Sequence, residues 1–136
     1  MMVSVVIPLF NENESISDLY VEICDSLSSY DNWEIIFVDD GSSDGSKEKI
    51  IEIISKDSRS RLISFYRNFG KSAALSEGFK YANGNYVVTM DADCTYPGEE
   101  VPNLVRKLVN EDLQWITCDR LRRAEEGAMP GVHGFG

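Results

Sequence analysis

The hydrophobic pattern of the chain alternates between two periods, and this alternation restricts the fold more than any other feature. Short segments rich in β-branched and aromatic residues are typical of strands: Val3–Ile7, Glu34–Val38, Leu62–Phe65, Tyr86–Met90 and Trp115–Thr117. Between them, apolar residues recur at helical spacing in sets that begin at Ile16, Ile50, Leu75 and Val101. The pattern predicts an α/β fold of right-handed βαβ units, with a mostly parallel sheet and helices on both faces.

The composition is that of an ordinary globular domain. The chain has 136 residues, 43% of them hydrophobic, which suits one domain with its own core over residues 1–136. Its longest apolar runs are too short to cross a membrane. The formal net charge of -10 argues against nucleic acid as a partner, since non-specific binding to nucleic acid requires a basic surface. The three scattered cysteines fit a reducing cytoplasm.

Polar clusters follow the predicted strands. They are Pro8–Glu12, Asp39–Asp44, Arg67–Lys71 and Asp91–Thr95. Ligands of parallel α/β sheets bind beyond the carboxyl ends of the strands. We therefore expect these clusters to meet at one edge of the sheet and to form a binding site there.

Asp91-Ala92-Asp93 directly follows a predicted strand. In an extended segment, side chains two residues apart point to the same side, so both carboxylates can converge on one point. Hard anionic oxygens suit Mg²⁺ or Mn²⁺ better than Zn²⁺. The sequence has neither a dinucleotide-binding glycine motif nor a P-loop. We therefore predict that a metal at Asp91 and Asp93 holds the phosphates of a nucleotide.

The other clusters offer contacts for the rest of a ligand. Asp39 and Asp40 at a strand end repel each other, which turn formation alone does not explain, so at least one can accept hydrogen bonds from a base or ribose. Phe10 can pack in the core or lie against a flat ring, and Glu12 can accept from ribose hydroxyls. Lys71 precedes a helix, where an anion meets both a cation and a helix N-terminus.

Taken together, these segments resemble the family 2 inverting glycosyltransferases with a GT-A fold. The matching segments are Pro8–Glu12, Val38–Asp44, Arg67–Ala74 and Met90–Asp93. Asn68-Phe69-Gly70-Lys71 and the Asp-Ala-Asp form are most similar to the dolichol- and polyprenyl-phosphate sugar synthases. The resemblance covers the chain from Val3 to about Arg120 and implies a Rossmann-like half that binds a nucleotide sugar.

The resemblance also implies roles for individual residues. Pro8, Phe10, Glu12 and Asp40 would line the base and ribose pocket. Asp91, Ala92 and Asp93 would form the metal motif, with Asp93 as the nearest ligand and a catalytic residue. Arg120 would contact the diphosphate, assisted by Lys71. Thr95 stands where the family often has a glutamine in the metal shell.

The implied partners are a UDP- or GDP-linked sugar and a polyprenyl or dolichyl phosphate, or a glycan, as acceptor. Family members continue beyond a region of this length, so the chain is expected to lack the acceptor side. The expected location is the cytoplasm, with a peripheral position at the cytoplasmic face of the membrane as an option. A shortened sheet exposes an edge, which self-association into a homo-oligomer would cover.

Two other interpretations remain open. The chain can be a non-catalytic unit or regulatory module that binds a nucleoside diphosphate. It can also be a receiver-like or phosphatase-like α/β domain, in which Asp39 and Asp40 form an acidic pocket with a carboxylate that is phosphorylated. That interpretation leaves Pro8–Glu12 without a role.

Overall fold

Strands and helices alternate along the chain as the hydrophobic pattern predicts. The computed structural model describes residues 2–92 and 100–118. The strands are β1 (Val3–Leu9), β2 (Trp33–Asp39), β3 (Ser60–Ser64), β4 (Tyr86–Met90) and β5 (Trp115–Cys118). The helices are α1 (Asn13–Leu27), α2 (Ser46–Lys56), α3 (Lys71–Tyr81) and α4 (Glu100–Asn110). The described part of the chain contains no helix with the length and hydrophobicity needed to cross a bilayer.

The strands form one parallel sheet in the order β3-β2-β1-β4-β5. The chain builds outward from β1 to β3, and then crosses back to place β4 on the other side of β1. The strand order therefore reverses between β1 and β4. In open α/β sheets the crevice at such a reversal, outside the carboxyl ends of the strands, is where ligands bind. The predicted fold class is confirmed.

Helices cover both faces of the sheet. The helices α1, α2 and α4 pack together on one face, where the largest core cluster lies. Helix α3 packs on the other face against β1 and β2. The strand residues alternate between the two clusters, because successive side chains of a strand point to opposite faces. Val5 and Ile7 therefore belong to one cluster and Val6 to the other.

The crossovers differ in hand. The connections through α1 and α2 step across the sheet in one direction and use one face. The connection through α3 steps in the opposite direction and uses the opposite face, so all three connections have the same hand. The step from β4 to β5 continues in the direction of α3, but α4 lies on the face of α1. This last crossover therefore has the opposite hand. Since parallel crossovers are nearly always right-handed, the expectation of right-handed units does not hold for β4–α4–β5.

Pro8 lies inside a central strand, paired with Val38. A proline there would normally remove a hydrogen bond from the sheet. The carbonyl of Leu9 accepts from the Asp40 N–H on the β2 side, so the backbone of Pro8 points towards β4. Pairing of β1 with β4 ends at Val6. No ladder bond is lost at Pro8, and the space beside it opens into the crevice.

Candidate functional site

A cleft of about 450 Å³ lies at the carboxyl edge of the sheet, at the reversal of strand order. Several residues predicted from the sequence line it: Pro8, Phe10, Glu12, Asp40, Lys71, Asp91 and Ala92. They come from the ends of β1, β2 and β4 and from the start of α3. Three polar clusters separated along the sequence, together with Asp91 and Ala92 from the fourth, thus meet in one place. The topology supplies the reason, because parallel strands bring their carboxyl ends to the same edge.

Asp40 connects the end of β2 to the segment before α3. Its Oδ1 accepts from the Phe69 N–H at 2.7 Å, and its Oδ2 accepts from the Gly70 N–H at 3.0 Å and from Asn68 Nδ2 at 3.1 Å. The residue is 5% exposed. Its carboxylate therefore shapes one wall of the cleft by holding this segment in place. That structural role was not expected from the sequence.

Asp39 is placed differently from its neighbour. It is 1% exposed, its Oδ1 accepts from the Ser42 N–H at 3.0 Å, and it does not line the cleft. Asp39 thus closes a turn, whereas Asp40 holds one wall of the cleft in place. Both carboxylates accept hydrogen bonds from loop segments, which does not favour the phosphorylated carboxylate of a receiver-like domain.

Gly41 allows two loops to touch. Its φ is +80°, and a Cβ at this position would lie 2.4 Å from the carbonyl carbon of Arg67. Any side chain would therefore push the loop after β2 away from the segment after β3. The sequence suggests a glycine turn here, but only the tertiary structure reveals that the two backbones lie so close together.

A second set of hydrogen bonds ties the loop after β1 to the loop after β2. The Asn11 N–H donates to Ser42 Oγ at 2.8 Å, and the Ser43 N–H donates to Asn11 Oδ1 at 2.8 Å. Asn11 adopts a φ of +53°, a left-handed conformation that asparagine tolerates better than most residues. The Glu12 N–H donates to Ser46 Oγ at 3.1 Å. These bonds fix the segment that carries Phe10 and Glu12.

Asp44 stabilises the N-terminal ends of two helices. Its Oδ2 accepts from the Asn13 N–H, and its Oδ1 accepts from the Ser46 N–H, both at 3.0 Å. Neither α1 nor α2 has a side-chain hydrogen bond from its own N-cap residue. The hydrogen bond from the Ser46 hydroxyl, aided by those from the two backbone N–H groups, lowers the pKa of Asp44.

Phe10 is 45% exposed and lines the cleft. A phenylalanine packed in the core would be buried, so the first of its two expected roles is excluded. Its ring supplies apolar surface to a cleft that Asp40 and Lys71 also line. A planar ligand placed there would have an aromatic face on one side.

Lys71 forms an ion pair with Asp91 across the cleft. Its Nζ lies 2.6 Å from Asp91 Oδ1, and the two side chains are 56% and 26% exposed. The sequence analysis assigned both residues to one ligand but did not predict that they contact each other. The contact links the start of α3 to the residue that follows β4.

Asp91 is the predicted metal ligand that lies within the described residues, and its surroundings show whether the site suits a metal. Asp91 presents a carboxylate at the rim of the cleft, the kind of hard oxygen that Mg²⁺ and Mn²⁺ prefer. Its Oδ1 already holds a cation, the ammonium group of Lys71. Asp93 and Arg120 lie outside the described residues. Within residues 2–92 and 100–118, no three acidic, histidine or cysteine side chains cluster as a complete metal site.

The sequence analysis did not assign some residues that line the cleft. They are Leu9, Asn68, Gly70 and Ala74. Asn68 and Gly70 belong to a polar cluster that was noticed, but their function is to bind Asp40, which only the packing of the loops reveals. Ala74 faces the cleft from the first turn of α3, and no sequence pattern distinguishes it from other alanines.

The chain was compared with known protein families and curated proteins. The family described as glycosyl transferase family 2 matches residues 4–129. An undecaprenyl-phosphate 4-deoxy-4-formamido-L-arabinose transferase from Salmonella choleraesuis is 44% identical over 110 residues. The match covers 77% of this chain and 33% of that relative. The chain thus spans about a third of the length of the curated relatives it matches.

Solved structures share the fold. A mannosyltransferase from Pyrobaculum calidifontis, in complex with GDP-Man and Mn²⁺, superposes with a TM-score of 0.71 at 28% identity, covering 78% of this chain and 32% of its own. The glucosyl-3-phosphoglycerate synthase of Mycobacterium tuberculosis, in complex with Mn²⁺, UDP and glucosyl-3-phosphoglycerate, superposes with a TM-score of 0.65 at 30% identity. This match covers 79% of the present chain and 39% of the synthase. The sheet, its helices and these likenesses define a GT-A-like fold. With the family match spanning nearly all of its length, the chain belongs to glycosyl transferase family 2.

Proposed function

We propose that the chain forms the donor-binding part of a glycosyltransferase that moves a sugar from a nucleotide sugar to a polyprenyl phosphate, with inversion. The observation that carries this proposal is the convergence of Phe10, Asp40, Lys71 and Asp91 on one cleft at the strand reversal. An aromatic face, acceptors for hydrogen bonds and a cation are the groups that a base, a ribose and a diphosphate require.

The base and ribose would occupy the side of the cleft formed by β1 and β2. Phe10 would stack on the base, and Pro8 would form the floor. Glu12 would accept hydrogen bonds from the ribose hydroxyls. Asp40 already accepts three hydrogen bonds from the segment before α3, so its main contribution would be to position that wall. Asp39 would act only through the turn that it closes.

The diphosphate would lie towards Lys71 and Asp91. Asp91 and Asp93 would hold Mg²⁺ or Mn²⁺, which supplies positive charge against the negative charge that develops on the departing nucleoside diphosphate. Lys71 and Arg120 would share that charge. Ala92 is buried next to Asp91, so a larger side chain at position 92 would crowd this corner of the cleft.

Inversion follows if the acceptor attacks the anomeric carbon from the side opposite the diphosphate. The new bond to the acceptor oxygen forms as the bond to the diphosphate oxygen breaks. A phosphate acceptor is already anionic near neutral pH, so this chemistry requires no strong base. A saccharide acceptor would require one.

The acceptor and the location of the protein are part of the same proposal. The relative from Salmonella is named for undecaprenyl phosphate, which supports a lipid phosphate as acceptor. Such an acceptor would bring the protein to the cytoplasmic face of a membrane. Residues beyond this cleft would supply the acceptor side, and a dimer could cover the exposed edge of the sheet.

Binding of nucleotide sugars tests the proposal. A ligand that binds the native state raises the apparent melting temperature, so the chain should be screened with UDP-, GDP- and dTDP-sugars in the presence of Mn²⁺. Phe10→Ala should weaken binding of the preferred donor about tenfold, because stacking on an aromatic ring contributes about 1–3 kcal/mol per base. Phe10→Tyr keeps the ring and should bind like the parent.

Tyr81→Ala is the matched control, since it removes an exposed aromatic ring from the far end of α3. Absence of any nucleotide-dependent shift, or an equal effect of Phe10→Ala and Tyr81→Ala, would refute donor binding in this cleft. Sugar transfer to a polyprenyl phosphate would distinguish an active glycosyltransferase from a nucleoside-diphosphate-binding unit or regulatory module.

A further inference from the structure

The ion pair between Lys71 and Asp91 connects the ends of two elements of the fold. Lys71 is the first residue of α3, and Asp91 directly follows β4. The Nζ–Oδ1 distance of 2.6 Å corresponds to a hydrogen-bonded ion pair. Both side chains line the cleft and retain exposed surface. The pair is therefore in contact with solvent and can be opened by a ligand.

The position of Lys71 makes this pairing more than an ordinary surface contact. A cation at a helix N-terminus is disfavoured by the helix dipole. The first turn of α3 contains no acidic residue, and its N-cap, Gly70, provides no side-chain hydrogen bond. The carboxylate of Asp91 is thus the partner that offsets two sources of positive charge, the ammonium group and the helix end.

The oxygen that Lys71 occupies is also one that a metal would use. A divalent cation held by Asp91 would bind directly to its carboxylate. An ammonium group hydrogen-bonded to the same carboxylate would then face a double positive charge within a few ångströms, which is strongly repulsive. Lys71 and a metal at the same carboxylate would therefore weaken each other's binding to Asp91.

We propose that Lys71 occupies the cation position at Asp91 in the nucleotide-free protein and thereby weakens metal binding until a diphosphate arrives. This inference rests on the proposed function, since the diphosphate provides the alternative partner for Lys71. The lysine side chain is long and flexible, so its ammonium group can move from the carboxylate to a phosphate oxygen. Release of Asp91 then favours the metal, and by linkage the metal favours the diphosphate.

Titration with Mn²⁺ alone tests this inference. The electron paramagnetic resonance signal of free Mn²⁺ gives the bound fraction for the parent, Lys71→Met and Lys80→Met. Lys71→Met should bind Mn²⁺ about two- to fivefold more tightly, as expected for loss of a competing, partly exposed ion pair. Lys80→Met is the matched control, because it removes the same charge from the exposed far end of α3.

The comparison is decisive in either direction. Tighter binding by Lys71→Met than by Lys80→Met, with the parent resembling Lys80→Met, supports competition at Asp91. Equal affinities of the two variants, or no Mn²⁺ binding by any of them, overturn the inference. Lys71→Gln and a circular dichroism spectrum of each variant ensure that a folding defect is not mistaken for either result.

The result is separable from the outcome for nucleotide sugars. No nucleotide is present in these titrations, so the competition stands or falls on Mn²⁺ affinity alone. Failure of Phe10→Ala to weaken donor binding would instead contradict the proposed function. The two experiments use different ligands and different residues.

Discussion

The carboxylate of Asp44 accepts a hydrogen bond from the backbone N–H of Asn13, 31 positions earlier in the chain, at 3.0 Å. Asn13 is the first residue of α1, while Asp44 lies just before α2 and accepts from the first residue of that helix as well. One side chain thus caps a helix of its own segment and a helix of another. The loops after β1 and β2 are held together at the lip of the cleft as a result.

Asp44→Ala is expected to lower the free energy of unfolding by about 1–2 kcal/mol, the usual effect of losing a helix cap. Urea denaturation followed by circular dichroism measures the change. Asp18→Ala is the control, because Asp18 is an exposed residue in the middle of α1. Equal losses in the two variants would show that Asp44 contributes only its charge.

The contribution of Asp44 should depend on pH in a defined direction. Hydrogen bonds from Ser46 and from nearby backbone N–H groups lower the pKa of Asp44 in the folded protein. A lowered folded pKa means that the stabilisation is present above the unfolded pKa, about 3.9 for aspartate, and is lost as the pH falls through the folded value. The stability difference between the parent and Asp44→Asn should therefore shrink between pH 5 and pH 3, whereas a constant difference would contradict this account.

Asp40→Ala is expected to destabilise the protein by about 2–3 kcal/mol. The substitution leaves the N–H groups of Phe69 and Gly70 without the carboxylate that accepts from them, and unsatisfied buried donors are costly. Denaturant titration gives the loss of stability, and hydrogen exchange at Phe69 and Gly70 reports whether the segment has been released. Asp31→Ala, at an exposed loop position, should change neither measurement.

Gly78→Ala should destabilise α3 although alanine is the better helix former. A Cβ at position 78 would lie 2.3 Å from Cγ1 of Val6, and such overpacking of a core costs about 1–3 kcal/mol. In the background of Val6→Ala the obstructing methyl group is absent. There Gly78→Ala should be nearly neutral or stabilising by up to about 1 kcal/mol, as expected from helix propensity.

A double-mutant cycle built from these two substitutions measures the clash directly. Coupling of about 1–3 kcal/mol between positions 6 and 78 is expected for residues in contact. Additive effects would mean that the sheet and α3 move apart without cost, in contradiction to close packing of β1 against this helix.

Much of the fold could be predicted because local sequence patterns report local structure. Tyr86–Met90 was predicted as a strand and is β4, since its apolar run is bounded by polar residues at both ends. The predicted Leu62–Phe65 is instead Ser60–Ser64. Ser60 and Arg61 carry no strand signal of their own, but they pair with Ile35 and Ile36 of the neighbouring strand. Register is a property of two strands together.

The candidate site was likewise predictable from the sequence only in part. Polar residues at strand ends could be recognised from their positions, and parallel topology then implied that Phe10, Asp40 and Asp91 would lie close together. The functions of Asp40 and Asp44 in holding loops could not be predicted, because their partners lie about 30 residues away. Nor could sequence spacing reveal that Lys71 contacts Asp91.

The sequence by itself determined the succession of strands and helices, the parallel sheet and the edge at which the cleft lies. Hydrophobic period and chain direction are sufficient for these, because each follows from the backbone geometry of one segment or of adjacent segments. Only the tertiary structure decided which face α4 covers and which carboxylates hold loops rather than face a ligand. It also decided which cation lies against Asp91. Those outcomes depend on contacts between segments that are far apart in the sequence, so the pattern of any one segment does not predict them.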